Sequence, residues 1–109
     1  MKNYKFNRLA HAEMIESARY YAAERTGYGR LFLDSVRKAV DLVRKLPGLG
    51  TIAVRKPQIR ALRVNKFWHS VLYSIHEDLI YIIAVSHHAR EPLYWIERIK
   101  DLPPPPPSP

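Results

Sequence analysis

The chain contains no cysteine, no long hydrophobic run and no glycine-rich phosphate loop, and each absence removes a class of protein. Without cysteine there is no disulfide scaffold, no thiolate zinc site and no thiol nucleophile. The longest apolar run, Leu79 to Val85, is far too short to span a bilayer as a helix. The opening Met1-Lys2-Asn3-Tyr4-Lys5-Phe6 has no hydrophobic signal core, so a cytoplasmic protein without a membrane partner is expected. There is no serine-nucleophile motif and no acidic cluster suited to a metal. The adjacent histidines His87 and His88 point to opposite faces of a strand and cannot readily share an ion, so no metal or cofactor is expected.

Acid is also missing from one third of the chain. Residues 42–76 hold Arg44, Lys45, Arg55, Lys56, Arg60, Arg63 and Lys66 with no Asp or Glu, a local charge of +7 out of a net +8. Residues 1–41 carry +3 and residues 77–109 carry −2. A run of this kind is either a solvated face or a surface aimed at something anionic, such as nucleic acid or an acidic protein.

What is present suits one small folded domain. At 109 residues, 47% hydrophobic and 11% aromatic, a chain of this length buries roughly 65% of its unfolded surface. The domain is expected over residues 1–102. Six of the nine prolines fall in residues 103–109. This tail is expected to be disordered or polyproline II, a solvated extension or a ligand for a proline-binding module, and its removal to leave folding unchanged.

Tyr4 to Asn7 suits a short strand. Met14, Ile15, Ala18, Tyr21 and Ala22 lie on one helical face, with Gly27 a natural stop. Phe32, Val36, Ala39, Val40, Val43 and Leu46 mark a second helix ended by Pro47-Gly48. A short link between the two predicts an antiparallel hairpin over residues 9–46. The period then changes to that of strands. Gln58 to Val64 alternates imperfectly, as around a bulge, and Phe67 to Ile75 alternates well. Leu79 to Val85 is apolar on both faces, which predicts an interior strand. A short helix is expected over Leu93 to Ile99. The fold class is therefore α+β: an N-terminal strand and a helical hairpin packed on a small antiparallel sheet, with a short C-terminal helix.

Short connections make the three strands after the hairpin an antiparallel meander; Arg60, Arg63 and Lys66 lie on and after its first strand, and His88, Arg90, Tyr94 and Trp95 follow its third. If the strands are neighbours, these groups share one side of the sheet. Metal-free RNA cleavage needs such a set: a base for the ribose hydroxyl, cations for the phosphate and an acid for the leaving oxygen. Binding a protein needs only the surface. The plainer alternative is that Tyr94 and Trp95 pack the sheet end while the arginines stay solvated.

Three stretches also resemble a known family. Arg60-Ala61-Leu62-Arg63-Val64, with Phe67 and Tyr73 following, is similar to the "R-x-L-R-V … F-P-x-x-I-x-Y" core of ParE/RelE-superfamily toxins. Phe32 through Leu46-Pro47-Gly48-Leu49-Gly50 is similar to the family's "F … L-x-x-x-P-x-x-G". Ile83 through His87, Arg90, Pro92, Tyr94 and Trp95 resembles its "I-x-x-V-x-H-x-x-R-x-P-x-Y-W" ending. The resemblance covers roughly residues 4–98.

It implies a toxin of a bacterial type II toxin–antitoxin pair, neutralised by a cognate antitoxin. ParE-like members inhibit DNA gyrase, whereas RelE-like members cut mRNA on the ribosome. RelE-type nucleases usually carry an arginine two or three residues before the tyrosine of the middle strand; here Ser70 stands before Tyr73. Their paired lysines on the preceding strand are replaced by Ala61 and Arg63. The resemblance therefore leans to a gyrase-inhibiting binder, with Arg60, Arg63, Lys66, His87, Arg90, Tyr94 and Trp95 as target-binding residues. The alternatives are a metal-independent endoribonuclease acting on ribosome and mRNA through Arg63, His88, Arg90 and Tyr94, and an inactive family member.

Overall fold

The computed structural model describes residues 1–103; the tail expectation concerns residues of which 104–109 lie outside the described ones. In chain order the elements are β1 (Asn3–Phe6), α1 (Arg8–Glu24), α2 (Tyr28–Lys45), a 3₁₀ turn (Pro47–Leu49), β2 (Thr51–Val54), β3 (Ile59–Arg63), β4 (His69–His76), β5 (Leu79–His87) and a 3₁₀ helix (Ile96–Asp101). No helix among them is long and apolar enough to cross a membrane.

Asn7 starts α1 by accepting a hydrogen bond from the Leu9 amide on its side-chain oxygen (2.8 Å), the usual way to satisfy an orphan N–H at a helix start. The helix ends at Glu24, three residues before Gly27. That glycine (φ 82°) instead occupies the left-handed position immediately before α2, where a side chain would be strained. The chain thereby reverses in three residues, and the antiparallel hairpin follows. Phe32, Val36, Ala39, Val40 and Val43 of α2 are buried, and each large one contributes about 1.5–3 kcal/mol by leaving water.

The sheet order is β1-β5-β4-β3-β2. The expected meander forms its antiparallel centre, and the sheet gains something at each edge. β1 joins parallel to β5, pairing Asn3–Phe6 with Leu79–Ile82. β2, a four-residue strand too short to show a period in the sequence, pairs antiparallel with β3. As expected, β5 is interior, with Ile80, Ile82, Ile83 and Val85 no more than 2% exposed.

Both faces of β5 are apolar because each meets a core, and a bulge divides the strand between them. Val71 pairs with Val85 and Leu72 with Ala84, but Tyr73 pairs with Ile82, so Ile83 is an extra residue. The extra residue reverses the in–out phase of the strand. Ile80, Ile82 and Val85 join the core under the helical hairpin. Ile83 and Ala84 join a second core, with Ile59, Leu72 and Trp95, on the opposite face. The chain from Tyr94 to Leu102 covers that second core, so the sheet is buried on both sides over its middle and open at one end.

Candidate functional site

The open end lies where β3 leaves the sheet, β4 enters and β5 leaves. Arg63 pairs with Ser70 across β3 and β4, and Ser70 with Ser86 across β4 and β5. The Ser70 hydroxyl lies 2.8 Å from His88 Nε2, and the His88 amide donates to the Trp68 carbonyl (2.8 Å). The Trp68 ring, 64% exposed, carries the Arg63 guanidinium 4.9 Å from its centroid and meets the His88 ring edge-on at 6.3 Å. Arg90 stacks over Tyr94 at 3.9 Å. The result is an exposed face of two cation–aromatic pairs with a Ser–His contact. Burial, then the charge of Arg63 and the nearby His87, lower the His88 pKa below its ordinary 6.5, which favours the neutral ring.

Tyr94 is not free. Its hydroxyl donates to Glu13 Oε2 at 2.5 Å. Burial first, then the Glu13 hydrogen bond and charge, push its pKa up to about 12. Glu13, on α1, is also held by both terminal nitrogens of Arg98 at 2.9 Å and accepts from the Val85 amide at 3.1 Å. Arg98 in turn donates to the Ile83 carbonyl (3.1 Å). β1 stops alongside Ile82, leaving the β5 edge without a partner strand from Ile83 onward. The Glu13–Arg98 pair supplies the missing partners and ties the C-terminal segment to α1.

The expected site residues divide accordingly. Arg63 and His88 meet around Trp68, Arg90 and Tyr94 form a separate pair, and Lys66 (φ 72°) is exposed in the β3–β4 turn. Arg60 does not join them. It pairs with Tyr73 on the hairpin side and donates to the carbonyls of Gly48 (3.1 Å) and Gly50 (2.7 Å), bracing the chain into β2. A three-residue step along a strand places Arg60 and Arg63 on opposite faces. His87 likewise faces the hairpin side, its ring 4.8 Å from that of His69. Trp95 is 4% exposed in the second core and offers no surface to a target; the plainer reading holds for it. Trp68 joins the site without a distinct sequence signal beyond its place next to Phe67, since only one of the two adjacent rings can enter the core. Glu13 is a further site residue, and its only sequence signal is an acid on the margin of an otherwise apolar helical face.

A second cleft, of about 320 Å³, lies between α1 and the hairpin side of the sheet and is lined by Glu16, Ser17, Tyr20, Tyr21, His69 and His87. His69 is 2% exposed, with its Nε2 3.3 Å from the Ser17 hydroxyl and its ring against Phe32 at 4.8 Å. Burial, reinforced by His87 and His88, lowers its pKa from 6.5 to about 4. Below about pH 6.5 the unfolded chain takes up a proton here that the folded chain refuses until about pH 4. The fold therefore loses stability as pH falls through that window, by on the order of 2–3 kcal/mol at its acid end. An NMR titration of the His69 ring is expected to show a midpoint below pH 5; a midpoint near 6.5 would contradict the packing described.

Comparison with known proteins gives two positive results. A family model for the ParE toxin of the type II toxin–antitoxin system parDE matches residues 4–92. Among solved structures, a chain of the chromosomal ParDE toxin–antitoxin system from P. aeruginosa is similar, with a TM-score of 0.57 and 19% sequence identity over 80% of this chain and 96% of that one. At that identity the likeness speaks for the fold. No curated protein matches.

Proposed function

This chain belongs to the ParE toxin family of type II toxin–antitoxin systems, and from that premise we propose that it inhibits DNA gyrase by binding and is neutralised by a cognate antitoxin. The observation that supports binding over cleavage is the engagement of the groups a nuclease would use. Ser70 stands where RelE-type relatives usually place an arginine, and its hydroxyl is in contact with His88. The Tyr94 proton is directed at Glu13, and a hydroxyl whose pKa is about 12 is a poor match to acid–base work near pH 7. RNA cleavage on the ribosome is the second reading, favoured by the exposed Arg63 and His88 that meet around Trp68 at the sheet end.

The antitoxin is best accommodated elsewhere. A groove of about 210 Å³ between β1 and the helical hairpin is lined by Tyr4, Phe6, Met14, Leu33, Val36 and Val40, with Arg37 and Asp41 also at its wall. An amphipathic helix can dock in such a groove, or an extended segment can add to the β1 edge beside it. Acidic residues on that segment would complement a chain of net charge +8.

Calorimetry with purified gyrase and with the antitoxin from the adjacent reading frame tests both halves. Binding to each is expected. Charge reversal at Arg63 or Arg90 should weaken the gyrase interaction in a graded, salt-sensitive way. Absence of any neighbour-encoded partner, with no affinity for gyrase, would contradict the proposal.

A further inference from the structure

Trp68 is the feature that the fold leaves unexplained. At 64% exposed it contributes little to either core, yet it is not loose. Its carbonyl accepts from the His88 amide, Arg63 lies against its ring, and His88 braces its edge and is itself in contact with Ser70. A large aromatic ring fixed in place while exposed loses little conformational freedom when a partner covers it. Tryptophan and arginine are also the residues that most often dominate a binding interface. The surroundings select the partner. Arg63, Lys66 and Arg90 are exposed on or beside this face, and residues 42–76 contain no acid. A second copy of this chain would bring like charges together, whereas a surface with an apolar pocket rimmed by carboxylates would be complementary. A nucleic-acid strand suits the face less well, because Arg63 already covers a face of the Trp68 ring on which a base would stack.

We propose that Trp68, held by Arg63 and His88, is the anchor by which this toxin engages an acidic protein surface on its target, and that this anchor is separate from the antitoxin groove. The proposal rests on the gyrase reading above. It adds a specific contact residue and a division of labour: target on the open sheet end, antitoxin on the hairpin groove.

The test measures affinity for purified gyrase and for the antitoxin in the full chain and in Trp68→Ala, with Arg63→Glu as a second variant. Thermal melting serves as the folding control. In Trp68→Ala the gyrase affinity is expected to fall about 30-fold or more, the effect of losing an interface anchor. Antitoxin affinity and Tm are expected to stay near wild type, and Arg63→Glu should show the same selectivity. If wild type binds gyrase and Trp68→Ala binds it equally well, the anchor is refuted while the gyrase reading stands. Equal losses toward gyrase and antitoxin refute the division of labour. Failure of the wild type to bind gyrase refutes the reading on which the anchor rests. A single-stranded oligodeoxythymidylate that shifts Trp68 fluorescence as tightly as gyrase does, and loses its affinity in Trp68→Ala, would reassign the face to nucleic acid.

Discussion

Replacement of Glu13 by alanine is expected to destabilise the protein by about 3–5 kcal/mol, the cost of removing one partner from a buried ion pair. The pair is well shielded, with side chains of Arg98 and Glu13 only 12% and 15% exposed. Burial opposes the charge on Arg98, and the Glu13 carboxylate with Tyr94 outweighs that opposition and raises its pKa. The alanine variant leaves this charge without its carboxylate, removes the acceptor of the Tyr94 hydroxyl and exposes the Val85 amide on the β5 edge. Urea denaturation gives the loss in stability. Trp95 fluorescence should also shift to the red, because the segment that Glu13 tethers covers the core containing Trp95. A loss below about 1 kcal/mol, the range of exposed pairs, would mean that water replaces the carboxylate and that the tether is incidental.

The second large effect is expected at Gly29. A Cβ there would lie 2.5 Å from the Ala18 carbonyl oxygen and 2.9 Å from the Ala22 Cβ. The helices α1 and α2 thus meet almost backbone to backbone, and a carbonyl in mid-helix cannot turn aside as a flexible side chain can. Gly29→Val should force the hairpin apart at a cost of about 3 kcal/mol, at the upper end of ordinary overpacking. Gly48→Ala is the control, since nothing lies within 4 Å of its added carbon, and it should change stability by less than about 0.5 kcal/mol. Equal tolerance of both changes would show that the helices are not in close contact at Gly29.

Much of this architecture is legible in the sequence because the periods are strong. The α2 stripe and the run from Leu79 to Val85 each admit one reading, and the interior strand and helical hairpin follow from them. The features that escaped are those that periodicity does not encode. β2 is too short to carry a pattern, and the Ile83 bulge shifts the phase of β5 without altering its composition. The site was half legible. Arg63 and His88 meet across Ser70 because β3, β4 and β5 are consecutive and end together. Arg60 lies apart from Arg63 because strand alternation outweighs nearness in sequence. The sequence leaves Trp95 open between surface and core because its burial depends on a return of the chain over the far side of the sheet. Glu13 takes its role from contacts 72 and 85 residues away, and nothing local announces them.

The face that results has the cations and aromatics of a binding surface, while the hydroxyl and imidazole that chemistry would need are engaged within the fold. The most direct test of that account places the purified wild-type protein in two assays side by side, gyrase supercoiling and cleavage of mRNA on programmed ribosomes. Inhibited supercoiling with intact mRNA is the predicted result. Site-specific cuts in the ribosomal A site with supercoiling untouched would contradict it, decisively so if His88→Ala then lowered the cutting rate by on the order of 10²–10⁴.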